Sequence, residues 1–117
     1  ACTAYWECAA EEIAAILEGP LKRMGHADEV ETSLMLAVCP HLVRHELVQD
    51  DHNFPSPALR GVSVIRTAAE WGQVGAEGFA TRASAEKGQR LLRAIVERVA
   101  AVIRALQHTR PDGGTAE

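Results

Sequence analysis

The stretch Gly25-His26-Ala27-Asp28-Glu29-Val30-Glu31-Thr32-Ser33-Leu34-Met35-Leu36 decides how this chain is read. Val30, Leu34 and Val38 recur at four-residue spacing, which places them on one face of a helix and marks that face for burial. Asp28 and Glu31 have the three-residue spacing of a capping box, with Asp in place of the usual Ser or Thr. Each carboxylate can accept a free backbone N–H of the first turn, and both suit the positive end of the helix dipole. Pro40 ends the helix, because its ring cannot continue the ladder. His26 precedes the helix, on a loop flanked by glycine.

Working outward, Glu7 to Glu18 carries Ala9, Ala10, Ile13, Ala14, Ile16 and Leu17 at helical spacing, and Gly19-Pro20 stops it. Before it, Thr3-Ala4-Tyr5-Trp6 reads as a strand, so the chain starts inside its first element and a truncated or processed sequence is expected. His45 to Arg60 is a long polar loop that contains Asp50-Asp51-His52, a cluster expected to form a solvated turn rather than a metal site. Val62 to Ile65 reads as a short strand. The glycine-punctuated run Trp71 to Gly78 suggests tight turns and close backbone approach. From Ser84 to His108, Leu91, Leu92, Ile95, Val96, Val99, Val102, Ile103 and Leu106 trace one stripe of a helix of about 25 residues, roughly 37 Å long. One certain strand and one doubtful one cannot cover three amphipathic helices. Apolar faces without a partner, and a missing sheet to cover them, are therefore expected.

The 117 residues fit one domain or a piece of one, with 47% apolar and 24% charged residues, as in ordinary globular proteins. A net charge of −4 provides no basic field for nucleic acid or an anionic membrane. No apolar run reaches the length of about 18 residues that a membrane span requires. Cys2, Cys8 and Cys39 lack metal-type pairing, and Cys8 and Cys39, in apolar helical patterns, read as small buried hydrophobes, so a reducing, cytoplasmic setting is expected. His41, His45, His52 and His108 are scattered, with no ligand spacing on a defined element.

The segment from Gly25 to Leu36 resembles the C-terminal signature of the creatininase family: a His, one or two small residues, then Glu-Thr-Ser and an apolar helix. Tyr5-Trp6 resembles the strand end that places an aromatic at that family's active-site mouth. Ala83-Ser84-Ala85-Glu86-Lys87-Gly88 is similar to its turn into the final helix, with Gly75 and Gly78 in the glycine-bearing stretch before it. The resemblance implies an α/β fold, the C-terminal part of a three-layer α/β/α creatininase-like sandwich that is helix-rich in this chain. Residues 1–109 would form that part, without the N-terminal metal-binding half, and 110–117 a disordered tail. It further implies metal-assisted hydrolysis of an amide-like C–N bond in a small-molecule substrate, cyclic or N-acyl. Two divalent metals, zinc or manganese, would be held by ligands in the absent half. The expected partners are further copies in a homo-oligomer or a complementary N-terminal half.

By the same resemblance His26 matches the histidine that carries a proton to the leaving nitrogen. Imidazole suits that task, since its ordinary pKa of about 6.5 lies near working pH. A loop histidine bonded to neighbouring backbone is the structural alternative, and for Glu31 a capping role suffices. Trp6 would wall the substrate pocket or belong to the core. Where creatininase proper has a Trp and an acidic pair just before this His, the chain has Lys22, Arg23 and Gly25. Arg23 is then a substrate-binding candidate, and a substrate with a carboxylate or phosphate, other than creatinine, is expected. Three functions remain open: part of an amidohydrolase, inactive in isolation; a non-catalytic fragment or assembly subunit of one; or a helical binding module whose resemblance is accidental.

Overall fold

The computed structural model describes residues 3–52 and 74–108. Their order is α1 (Tyr5–Cys8), α2 (Ala10–Ile16), α3 (Glu29–Val38), short 3-10 turns at Pro40–Leu42, His45–Leu47 and Ala80–Arg82, and the long α4 (Ala85–His108). The fold is helix-rich. Among the described residues, extended pairing is limited to two isolated antiparallel bridges, His26 with Glu77 and Asp51 with Gly78. No described helix is long and apolar enough to cross a membrane. The expected strand at 62–65 and the tail from 110 lie outside the described residues.

The core is small: Ala9, Ile13 and Leu17 meet Val30 of α3 and Leu91 and Ile95 of α4, with Tyr5, Ile16, Met24, Leu34 and Val99 packed at its edge. Ala9, Ile13 and Leu17 recur every four residues, so this segment buries one stripe across its full length. The segment is not one helix, however. Ala9 departs from helical geometry (φ −117°, ψ 25°) and separates α1 from α2. The chain also leaves α2 at Ile16, earlier than Gly19-Pro20 implies. The N–H groups of Glu18 and Gly19 donate instead to the Glu29 carboxylate, at 3.0 and 2.8 Å.

The strand reading of Thr3 to Trp6 is corrected. Glu7 N–H and Cys8 N–H both donate to Ala4 O, so a helix opens at Tyr5. Aromatic β-propensity reflects packing on a pleated surface, and here Tyr5 packs on the helical core instead. Cys8 and Cys39 are free thiols, but half-buried rather than buried as expected.

α3 begins as its sequence dictates. Asp28 is the N-cap, and its Oδ1 accepts from Val30 N–H at 2.9 Å and Glu31 N–H at 3.1 Å. Its buried face is shifted from the expected one: Val30 and Ser33 are fully buried, whereas Val38 is exposed. The shift follows from the crossing with α4. Ser33 O lies where a Cβ on Gly88 would stand 1.9 Å away, so the two backbones touch and only small residues fit between them. Ser33 Oγ accepts from Ser84 N–H at 3.2 Å, and Ser84 Oγ in turn accepts from Lys87 N–H at 3.2 Å in the first turn of α4.

An ion pair is buried beside this crossing. Lys87 Nζ lies 2.8 Å from Glu29 Oε1, and the two side chains are 8% and 3% exposed. Lys87 also meets Glu18 at 2.9 Å and donates to Arg82 O. Burial works against its charge, but the hydrogen bonds to Glu29 and Glu18 outweigh it, and the ammonium pKa is raised. Farther along α4 the apolar stripe divides. Leu91 and Ile95 are buried, while Leu92, Val96, Ile103 and Leu106 remain exposed.

Candidate active site

His26 is carried by a turn whose shape is fixed from several sides. Its backbone pairs in both directions with Glu77, His26 N–H to Glu77 O at 3.1 Å and Glu77 N–H to His26 O at 2.6 Å. Gly25 N–H donates to Asp28 Oδ2 at 2.6 Å and Ala27 N–H to Glu31 Oε2 at 2.6 Å. Ala27 has φ 48°, in the left-handed region that non-glycine residues occupy only when their surroundings enforce it. Glu31 thus reaches one residue further back than an ordinary capping box, to the N–H before the N-cap. The approach is close enough that a Cβ on Gly25 would stand 2.0 Å from Glu77 O, so this position requires glycine.

The imidazole itself is 76% exposed. Its Nδ1 stands 3.9 Å from Glu31 Oε2. Three acidic groups near the turn serve different ends. Burial pushes the Asp28 carboxyl above the usual range, opposed by the N–H groups of Gly25, Glu31 and Val30 and reinforced by the Glu31 charge. Glu29 faces inward to Lys87. Glu31 faces the histidine. Tyr5 lies within reach of the same field: burial first, then the Glu31 and Asp28 charges, raise its phenol pKa.

Two open clefts flank this turn. One, about 390 Å³, is lined by Ala27, Glu31, Thr32 and Met35 on one side and by Leu42 to Arg44, Leu47 to Gln49 and Val74 to Ala76 on the other. The second, about 300 Å³, brings together Trp6, Glu7, Ala10 and Ile13 with Lys22, Arg23 and Met24. Two expected site residues, Trp6 and Arg23, therefore share a cleft, and His26 is not among the residues that line it. Trp6 is 41% exposed and meets Tyr5 edge-on, ring centroids 5.0 Å apart. The basic groups are not free: Lys22 Nζ donates to Leu17 O, and Arg23 Nη2 lies 2.8 Å from Glu77 Oε1.

The Asp50-Asp51-His52 cluster, partly exposed, is anchored to the segment after Glu77. Asp50 accepts from Thr81 N–H and Thr81 Oγ1, both at 2.8 Å, Asp51 bridges Gly78, and the His52 ring stands edge-on to Phe79. Sequence reasoning also passed over Glu77, whose buried carboxylate and backbone both reach the site. Its one signal was its place between Gly75 and Gly78, whose φ angles of 75° and 140° hold the chain in a conformation closed to most residues. Among the described residues, no three His, Cys, Asp or Glu side chains converge as a metal-binding group.

Neither a curated protein nor a solved structure matches the chain. The family model for creatininase, described as creatinine amidohydrolase, matches residues 1–103, which include the His26 turn, α3, the Glu77 segment and most of α4. With that match over most of its length, the chain belongs to the creatininase family.

Proposed function

We propose that this chain forms part of a metal-dependent amidohydrolase in which His26 delivers a proton to the leaving nitrogen as a C–N bond is hydrolysed. The observation that carries the reading is the His26–Glu31 pair, an imidazole with a carboxylate 3.9 Å from Nδ1, held on a strained turn whose Ala27 and Glu31 line a cleft beside the exposed ring. Glu31 faces the charge that the ring gains with its proton, while the exposed ring edge is open to substrate. When the proton passes to nitrogen, the amine leaves and the ring returns to neutrality. General acid catalysis of this kind contributes a factor of about 10²–10⁴ in rate.

Family membership supports amidohydrolysis. The described residues do not fit the metal pair that the family implies: Asp28 and Glu29 accept from backbone amides, and no third ligand joins His26 and Glu31. We assign the divalent metal, zinc or manganese, to groups outside the described residues, in a complementary N-terminal half within an α/β/α sandwich or a homo-oligomer. Trp6 would border the bound small molecule, a cyclic or N-acyl compound.

The test is amine release from a panel of cyclic, N-formyl and N-acyl amides by the protein that carries this chain, with zinc or manganese supplied. His26→Asn should lower kcat about 10²–10⁴-fold with KM little changed. Undiminished turnover in His26→Asn would overturn the role of His26. A second reading, a non-catalytic assembly subunit, is favoured by the exposed Leu92, Val96, Ile103 and Leu106 on α4. It predicts no turnover of any panel member by the wild-type protein.

A further inference from the structure

The guanidinium of Arg23 faces away from the role that a basic side chain beside a cleft suggests. Nη1 donates to Met24 O at 3.1 Å and Nη2 to Glu77 Oε1 at 2.8 Å. Glu77 is 5% exposed, and Arg23 is the cation that compensates its carboxylate. The same residue makes both backbone hydrogen bonds to His26. Its neighbours leave no slack: Gly25 is pressed against Glu77 O, and a Cβ on Gly78 would stand 2.6 Å from the Asp28 Cβ. A movement of Glu77 is therefore passed directly to the turn that holds the imidazole.

We propose that Arg23 and Glu77 form a latch that positions His26, with Arg23 acting through Glu77 rather than on substrate. The physical basis is the cost of an uncompensated buried carboxylate. Without the guanidinium, the buried Glu77 carboxylate loses its compensating charge and turns out toward water. Turning out pulls its backbone from His26 and releases a turn already strained at Ala27. A positively charged residue at the mouth of a cleft then governs the placement of the proton donor, and a shift of about 1 Å in such a group can cost roughly 100-fold in rate. This inference rests on His26 as the proton-carrying group, but its structural half is independently measurable.

The test uses Arg23→Met, Arg23→Lys, Glu77→Gln and the double variant Arg23→Met/Glu77→Gln in the full 117-residue chain. Amide hydrogen exchange at His26 and Glu77 and the imidazole ring resonances are read by NMR. Arg23→Met should speed exchange at both amides about tenfold or more and shift the ring resonances, with Arg23→Lys restoring part of the protection. The double variant should fall well short of the sum of its parts, since either change alone already breaks the pair. In the metal-supplied protein, Arg23→Met should lower kcat and leave KM within about twofold. Unchanged exchange and ring resonances in Arg23→Met, or a rise in KM alone, would overturn the latch. If Arg23→Met fails to fold, Arg23→Lys and Glu77→Gln carry the same measurements. Altered exchange at His26 together with full activity of His26→Asn would instead sustain the latch and refute the catalytic role.

Discussion

Replacing Lys87 with Met tests whether the buried charge pair between α3 and α4 holds the fold together. Met is nearly isosteric with the Lys stem, so the substitution removes the ammonium and little volume. Glu29, 3% exposed, would keep the N–H groups of Glu18 and Gly19 but lose its counter-charge. The contact of Lys87 with Glu18 contributes little to the sum, because Glu18 is 64% exposed and solvent screens it. The cost is then that of one uncompensated buried carboxylate, about 3–5 kcal/mol. Against a total stability of about 5–15 kcal/mol this is a large fraction. With a urea m-value of about 1.5 kcal/mol per molar, the midpoint should fall by roughly 2–3 M. Adding Glu29→Gln to Lys87→Met removes the stranded charge and should recover much of the loss. A Lys87→Met midpoint within about 0.5 M of wild type, or a double variant worse than the single, would refute the argument.

Other consequences are more local. Gly88→Ala should destabilise by about 1–3 kcal/mol in urea, although alanine is the better helix former, because its Cβ would meet Ser33 O at 1.9 Å and force α3 and α4 apart. The folded-state pKa of Lys87 lies above its ordinary 10.5, so its contribution is complete below that value and is lost as pH rises through the raised one. Urea midpoints followed into alkaline solution should fall above about pH 10.5, and Lys87→Met should remove that decline. Val96→Gln with Ile103→Gln on the exposed side of α4 should change stability by no more than about 0.5 kcal/mol per site, while lowering concentration-dependent self-association in size-exclusion runs.

Features written in local sequence were legible. The Asp28 cap and its α3 are read from residues three and four apart, and α4 appears over Ala85–His108 almost as its periodicity predicts. Tyr5 and Trp6 misled because aromatic residues suit a strand only where a sheet receives them. Val38 misled because hydrophobic spacing cannot see that Ser33 and Gly88 let two backbones touch. The longer-range pairings were beyond such a reading: Glu29 meets Lys87 across 58 positions and Arg23 meets Glu77 across 54. His26 was found through its motif, but the groups that hold it were not, since a backbone bridge to residue 77 leaves no mark on side-chain pattern.

The turn beneath His26 is built wholly from the chain's own amides and carboxylates. Asp28 binds Gly25, Val30 and Glu31, Glu29 binds Glu18 and Gly19, and Glu31 binds Ala27. Acceptors already occupied in this way have little left to offer a chelated ion, so this scaffold should fold whether or not a divalent ion is supplied. Treatment with EDTA should leave its unfolding midpoint where it was.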